Sequence, residues 1–300
     1  MSWASMAILG AAIMGVVSII DSHLLSKRLP GIRALLLPAG VLHLGYGLIS
    51  VYLFPWPEGV GLGPVLAAAA SGIWRTAGIF IMFYNFTREE VSRVVPVVYT
   101  YPVFVAIMAV PLLGEVLDYR HWLAIIIAVA GAVIISAEKS PGGVTGLLGR
   151  PFLLLFLSSL FFALADIAMK YALNYISFWN GFSVATISMS SIFLFCALRR
   201  QVLRDLRDMP RRNSSLVLLL VNELIAPVGV VCLFWALERG PVSLVAAILS
   251  SRPVFVAIYS LILGHFLPDF LLRFASRGVL MVRLVATIMV VGGISIIYMS

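Results

Sequence analysis

The sequence predicts an all-α integral membrane protein of about ten transmembrane helices, arranged as two inverted five-helix repeats. Three observations lead to this fold class: an apolar composition, ten long stretches nearly free of charge, and an internal duplication. Of the 300 residues, 62% are hydrophobic and 11% are charged, and the mean hydropathy is +1.07. Soluble domains carry about 25% charged residues. The composition therefore excludes a water-soluble fold.

The ten apolar stretches are each long enough to cross the hydrocarbon layer, which takes about 20 residues in a helix. Because they are continuously apolar, they predict helices; the strands of a membrane barrel alternate over about ten residues. The first stretch lacks a basic leader and exceeds the apolar core of a secretion signal, so it is predicted to be retained. The spans are 4–25, 34–54, 62–86, 92–113, 119–137, 151–173, 178–198, 215–237, 241–264 and 279–299.

Basic residues lie mainly in the connections between spans. Counted with the span edges, the odd-numbered connections hold 16 Lys and Arg, and the even-numbered connections hold 2. Short cytoplasmic connections accumulate Lys and Arg, which predicts that both chain termini lie outside the cytoplasm. The net charge of +8 is explained by connections that face anionic lipid, so nucleic acid is not an expected partner.

An internal repeat organises the chain. A shift of 151 residues aligns 78–107 with 229–258 without a gap, and 12 of the 30 pairs are identical, including the six-residue block 102–107 and 253–258. This duplication predicts a first repeat over 1–140 and a second over 141–300, which together form one transmembrane domain. Because five spans are an odd number, the second copy enters the membrane from the opposite face. Inverted repeats are typical of secondary transporters.

The segment 234–258 and its weaker partner 83–107, which ends near Gly114 and Glu115, resemble the drug/metabolite transporter superfamily, specifically its EamA-type carriers. The resemblance implies a proton-coupled or exchange-type exporter of amino acids or other metabolites in the cytoplasmic (inner) membrane. Two features depart from the family pattern. His265 follows Gly264 where the family often has a glutamate, and the family's usual cytoplasmic termini conflict with the charge count.

Arg252 is predicted midway along the ninth span, directly before Pro253. An Arg at a helix centre costs about 2.5–3.5 kcal/mol on insertion scales, so its side chain should face protein or water. Pro253 removes a backbone donor, and Pro102 occupies the same repeat position after Tyr101. The two prolines predict paired kinks that flank a cavity. Arg252 either lines the transport pathway or pairs with an acid to lock helices together.

Asn222 and Glu223 occupy the eighth span, and we expect Glu223 to lie beside Arg252. There it would act either as a proton acceptor or as half of a buried ion pair. Asp166 and Lys170 lie four residues apart on one helical face, which allows an intrahelical pair. The other candidates for the pathway are polar, charged or aromatic residues inside predicted spans: Asp21, Trp74, Arg75, Tyr99, Tyr101 and Ser251.

Two intramembrane cations, Arg75 and Arg252, would suit an anionic group such as a carboxylate or phosphate. The alternative is that Arg75 pairs with Glu223 or Asp166, which leaves no surplus charge from Arg75. The cavity is predicted near the midplane between the two halves, built mainly from the first, third, fourth, sixth, eighth and ninth spans.

These features predict a secondary active transporter, more precisely an exporter, of a small metabolite such as an amino acid or related organic solute. Transport would be coupled to protons or run by exchange; no enzyme activity, cofactor or metal is expected. The expected partners are the substrate and membrane lipid, with a second copy of the chain as a candidate. The alternative function is a membrane enzyme or scaffold acting on lipid or isoprenoid substrates, although His23, His43, His121 and His265 lack the spacing of a catalytic cluster.

Overall fold

The computed structural model describes residues 2–89, 91–137 and 150–266, together with six single positions between 285 and 296. Apart from those six positions, the tenth predicted span lies outside the described residues, as do the side chain of His265 and the predicted repeat boundary at 140/141. The helices, in chain order, are α1 (Trp3–His23), a π-helical turn (Leu24–Arg28), α2 (Ile32–Leu53), α3 (Leu62–Phe86), α4 (Val91–Val98), α5 (Pro102–Leu113), α6 (Tyr119–Ala137), α7 (Arg150–Leu173), α8 (Phe178–Ala197), α9 (Arg200–Asp208), α10 (Arg212–Arg239), α11 (Val242–Leu249) and α12 (Arg252–Phe266).

The all-helical membrane fold is confirmed. Within the described residues, seven helical stretches are long and apolar enough to cross a membrane, and two further apolar helices are shorter. The elements α1, α2, α3, α6, α7, α8 and α10 begin and end within a few residues of predicted spans. The basic connection at 199–212 contains a short helix, α9, whose buried Val202 packs it onto the membrane helices.

The fourth and ninth predicted spans are each divided into two helices. The first break, Tyr99–Tyr101, separates α4 from α5, and the second break, Ser250–Ser251, separates α11 from α12. Each break is followed within two residues by proline, which cannot donate the next backbone hydrogen bond. The predicted kinks are therefore full interruptions of the helix.

Hydroxyl groups satisfy backbone carbonyls at both breaks. At the first break, Ser159 on α7 donates to the carbonyls of Val97 and Val98 at 3.0 and 2.9 Å. At the second break, the hydroxyl of Ser250 donates to the carbonyl of Ala247 at 2.6 Å. Irregular backbone at membrane depth persists where protein groups replace the missing hydrogen bonds, as they do here.

The two halves repeat one another in register. Helix α11 (Val242–Leu249) begins and ends 151 residues after α4 (Val91–Val98), and α12 has the same relation to α5 at its start, within one residue. The packing also repeats, because α1 lies along α10 as α7 lies along α3, while α2 of the first half lies along α8 of the second. The chain thus has a two-repeat architecture with the broken helices at its centre.

Candidate functional site

A cavity of about 130 Å³ lies between the two halves. It receives side chains from α1, α3, α7, α10, α12 and the first break, as predicted, and also from α2 and α8, which the sequence analysis did not include. Its polar groups are Asp21, His43, Arg75, Tyr99, Tyr101, Asp166, Thr186, Asn222, Glu223 and Arg252.

Arg252 is the first residue of α12 and is only 5% exposed. Its guanidinium donates hydrogen bonds to the hydroxyls of Tyr99 and Ser18, and its Cζ lies 5.0 Å from the centre of the Tyr99 ring. Within the described part of the chain, no carboxylate comes within ion-pair distance of Arg252, and its Nε has no hydrogen-bond partner. The charge of Asp21 acts on it across the cavity. Arg252 is thus a buried cation held by neutral groups.

Arg75, by contrast, is neutralised. Its Nη2 donates to Oδ1 of Asp166 at 2.6 Å, and its guanidinium lies 5.6 Å from the centre of the Phe234 ring. Tyr101 of the first break lies beside the same carboxylate. Of the two alternatives for Arg75, the structure therefore has the ion pair, so the expectation of two free cations is not met.

The two acids near α10 have partners that the sequence analysis did not anticipate. Asn222 donates to Oδ1 of Asp21 at 2.7 Å. Glu223 does not pair with Arg252: its Oε2 lies 3.2 Å from Nε2 of His43, at ion-pair distance but without hydrogen-bond alignment. The reason is rotational, because adjacent residues on a helix point about 100° apart and only one of the two can face the break.

Three predicted pathway residues do not line the cavity. The ring of Trp74 stacks on Phe161 at 5.5 Å between centroids, on the outer side of α3. Lys170 does not pair with Asp166; its Nζ donates to the carbonyls of Leu237 and Gly240 at 2.7 and 2.8 Å. Lys170 therefore satisfies carbonyls that the end of α10 leaves open. Ser251 is 5% exposed and lies in the second break, away from the cavity lining.

His43 and Tyr46 on α2 are the residues that sequence reasoning missed. The hydroxyl of Tyr46 donates to the backbone carbonyl of Glu223 at 3.1 Å, next to the contact between His43 and Glu223. His43 falls inside the second predicted span, and an ionisable residue within a membrane helix was the signal that could have identified it.

Glu115 joins the two halves at the end of α5. Its carboxylate accepts hydrogen bonds from the backbone N–H groups of Val242 and Ser243 and from the Ser243 hydroxyl, at the first turn of α11. A negative charge at a helix N-terminus is favourable because the first N–H groups have no partner within the helix. A carboxylate of the first repeat therefore caps a helix of the second.

The profile of the EamA-like transporter family matches residues 1–137 and 150–299, one match for each half. The chain belongs to the EamA-like transporter family. The resemblance found in segments 83–107 and 234–258 is thereby confirmed. This EamA-like transporter is a multi-pass membrane protein and a transporter of the drug/metabolite superfamily.

Solved structures share the fold of this EamA-like transporter. Among 27 matching chains, a crystal structure of a protein superposes with a TM-score of 0.66 at 18% sequence identity, over 99% of this chain and 95% of that chain. At this identity the likeness extends to the fold alone. No curated protein matches the sequence. Among the described residues, no group of three or more His, Cys, Asp or Glu side chains could hold a metal ion.

Proposed function

We propose that the chain is a secondary active exporter of a small amino acid or a closely related organic solute across the cytoplasmic membrane. The observation that supports this most is Arg252, a buried guanidinium that faces a cavity between two repeats without a carboxylate within ion-pair distance in the described chain. A cation without a carboxylate at ion-pair distance in such a place is expensive unless it serves a ligand.

Arg252 would hold the carboxylate of the substrate. A planar guanidinium offers paired N–H donors that match the two oxygens of a carboxylate, and a hydrogen bond to a charged group contributes about 1.5–3 kcal/mol. The apolar wall of the cavity, formed by Met14, Val17, Phe162 and Phe182, would receive an aliphatic side chain. Glu223, across the cavity on α10, would attract the amino group.

Transport would follow alternating access, in which one repeat rocks against the other around a fixed site near the midplane. The two helix breaks support this, because Tyr99 of the first break and Arg252 of the second meet directly. A movement of either repeat therefore changes the surroundings of the guanidinium that would hold the substrate.

Counterflow in proteoliposomes tests the proposal. Vesicles loaded with an unlabelled amino acid should take up the same radiolabelled amino acid transiently above equilibrium, with saturation, because a carrier exchanges substrate across a closed cycle. Each common amino acid would be tried, with L-alanine compared against ethylamine, which lacks the carboxylate, and propionate, which lacks the amine. Failure of every amino acid to give counterflow would contradict the proposal, as would equal transport of ethylamine and L-alanine.

A further inference from the structure

The acids that line the cavity have different partners. Asp166 is paired with Arg75 at 2.6 Å, and Asp21 accepts a hydrogen bond from Asn222 at 2.7 Å. Glu223 remains, and its nearest ionisable neighbour is His43 at 3.2 Å. A carboxylate and an imidazole together are electrically neutral only when they hold a single proton.

We infer that the His43–Glu223 pair is the proton-binding centre of the carrier, and that the amino group of the substrate replaces this proton. The inference rests on the proposed function and adds to it the residues that couple transport to protons. It is carried by the position of the pair: Glu223 is 4% exposed, both side chains line the cavity, and Nδ1 of His43 is buried without a hydrogen-bond partner in the described chain.

The exchange releases one proton to water for each zwitterion bound. In the empty cavity the pair holds one proton and is neutral, which is the favoured state for groups removed from water. When a zwitterionic amino acid binds, its ammonium group takes its place beside the Glu223 carboxylate, and the proton passes to water. The substrate carboxylate meanwhile binds Arg252. The loaded cavity has therefore lost one proton and gained one zwitterion, so its net charge is one unit lower, and the added carboxylate faces Arg252, which has no carboxylate at ion-pair distance in the described chain.

Other titratable groups surround the pair. The charged groups that face it are Asp21 on α1, Arg75 on α3, Asp166 on α7 and Arg252 on α12. The phenols near it are Tyr46, Tyr99 and Tyr101, of which Tyr46 donates to the backbone carbonyl of Glu223 and Tyr99 accepts from Arg252. Titration of Asp166 would break its ion pair with Arg75, whereas the His43–Glu223 pair, like Asp21, can gain and lose a proton without breaking an ion pair.

The repeat gives a reason why the proton would be obligatory. Glu223 of α10 occupies the position that Gly72 occupies in α3, 151 residues earlier. At Gly72, α3 approaches α8 so closely that a Cβ atom would lie 2.3 Å from the carbonyl oxygen of Ala185. If α10 approached α2 in the same way, Glu223 and His43 would be buried in the interface between the two helices. Burial of the Glu223 carboxylate costs free energy when it has neither a proton nor an ammonium group beside it, and costs less when the pair is protonated or the substrate is bound.

Proton release on binding is the first test. Purified protein in weakly buffered solution with a pH-sensitive dye should release about one proton for each L-alanine bound, or for each molecule of whichever amino acid gives the largest counterflow. In Glu223→Gln the release should disappear, and binding should weaken but persist through the contact of the substrate carboxylate with Arg252. Glu58→Gln, at an exposed carboxylate outside the cavity lining, should release protons as the unchanged protein does. Full proton release by a folded Glu223→Gln variant would overturn the inference.

Gradient-driven transport is the second test. With the membrane potential clamped at zero and the vesicle lumen one pH unit more acidic, one proton per substrate supports about tenfold accumulation. Glu223→Gln should lose this accumulation and retain counterflow at equal pH. His43→Gln should keep accumulation but shift its pH dependence, because Glu223 would titrate without its imidazole neighbour. Unchanged accumulation and unchanged pH dependence in both variants would contradict the role of the pair in proton coupling. Counterflow in the same variants would still support the proposal that the chain is a carrier.

Discussion

Helices α3 and α10 occupy equivalent places in the two repeats but have different neighbours. Helix α3 packs along α8, with Gly72 against the backbone of Ala185, whereas α10 meets α2 at few positions. The space left on the α10 side contains Glu223, His43 and Tyr46. The duplication therefore produced one closed helix pair and one open pair, and the ionisable groups lie on the open side.

The two cations of the cavity also have different partners. Arg75 of α3 forms a direct ion pair with Asp166 of α7, so its charge is neutralised. Arg252 of α12 is held by the hydroxyls of Tyr99 and Ser18, so its charge has no carboxylate at ion-pair distance in the described chain. Because Tyr101 and Arg252 share one repeat position, a single position carries a phenol in one half and a guanidinium in the other.

The largest expected effect is on stability, from loss of the ion pair between Arg75 and Asp166. Arg75→Ala leaves the buried carboxylate of Asp166 without its partner, and breaking a buried ion pair in this way costs about 3–5 kcal/mol. The free energy of unfolding in detergent should fall by that amount. The double variant Arg75→Leu with Asp166→Leu should recover most of the loss, and a double variant as unstable as the single one would show that the pair has another role.

Removing Arg252 should affect transport more than stability. Arg252→Ala deletes the proposed anchor for a carboxylate, worth about 1.5–3 kcal/mol, so half-saturation of counterflow should rise about 10- to 100-fold. Arg252→Lys should recover little, because an ammonium lacks the paired donors. Arg239→Ala is a matched control, since Arg239 stacks on Trp235 at the end of α10, outside the cavity lining. An equal rise of the half-saturation concentration in Arg252→Ala and Arg239→Ala would contradict the proposed role of Arg252 in substrate binding.

The closed contact itself can be opened by one methyl group. Gly72→Ala places its Cβ against a backbone oxygen that cannot rotate away, so α3 and α8 must separate. Overpacking of this kind costs about 1–3 kcal/mol. Thermal unfolding should show a lower Tm for Gly72→Ala than for Gly45→Ala, since a Cβ at Gly45 meets no atom within 4 Å. Equal Tm values would mean that the two helices are not held at this distance.

The smallest expected effect concerns the open side. Tyr46→Phe removes one hydrogen bond between α2 and the Glu223 carbonyl, worth about 0.5–1.5 kcal/mol. The free energy of unfolding should decrease by about that amount, while Tyr52→Phe, at a position 87% exposed, should leave it unchanged. A loss comparable with that of Arg75→Ala would indicate that α2 and α10 are held together as firmly as α3 and α8.

Sequence reasoning predicts the spans and the duplication because both depend on local composition and on spacing along the chain. It also places the breaks, because proline at 102 and 253 acts on the backbone beside it. The pairing of side chains could not be predicted in the same way. Arg75 and Asp166 are 91 residues apart, and His43 and Glu223 are 180 apart, so their contacts depend on how each helix is rotated in the bundle. Residue type alone does not determine that rotation, and the sidedness of the termini stays a prediction.

The cap that Glu115 provides for α11 bears on how the protein is made. The first turn of α11 has Pro241 before it, which offers no side-chain hydrogen bond, so its N–H groups rely on a carboxylate made more than a hundred residues earlier. During synthesis Glu115 leaves the ribosome before α11 does. If the repeats were produced as separate polypeptides, the first N–H groups of α11 would lack this acceptor until the two fragments associated.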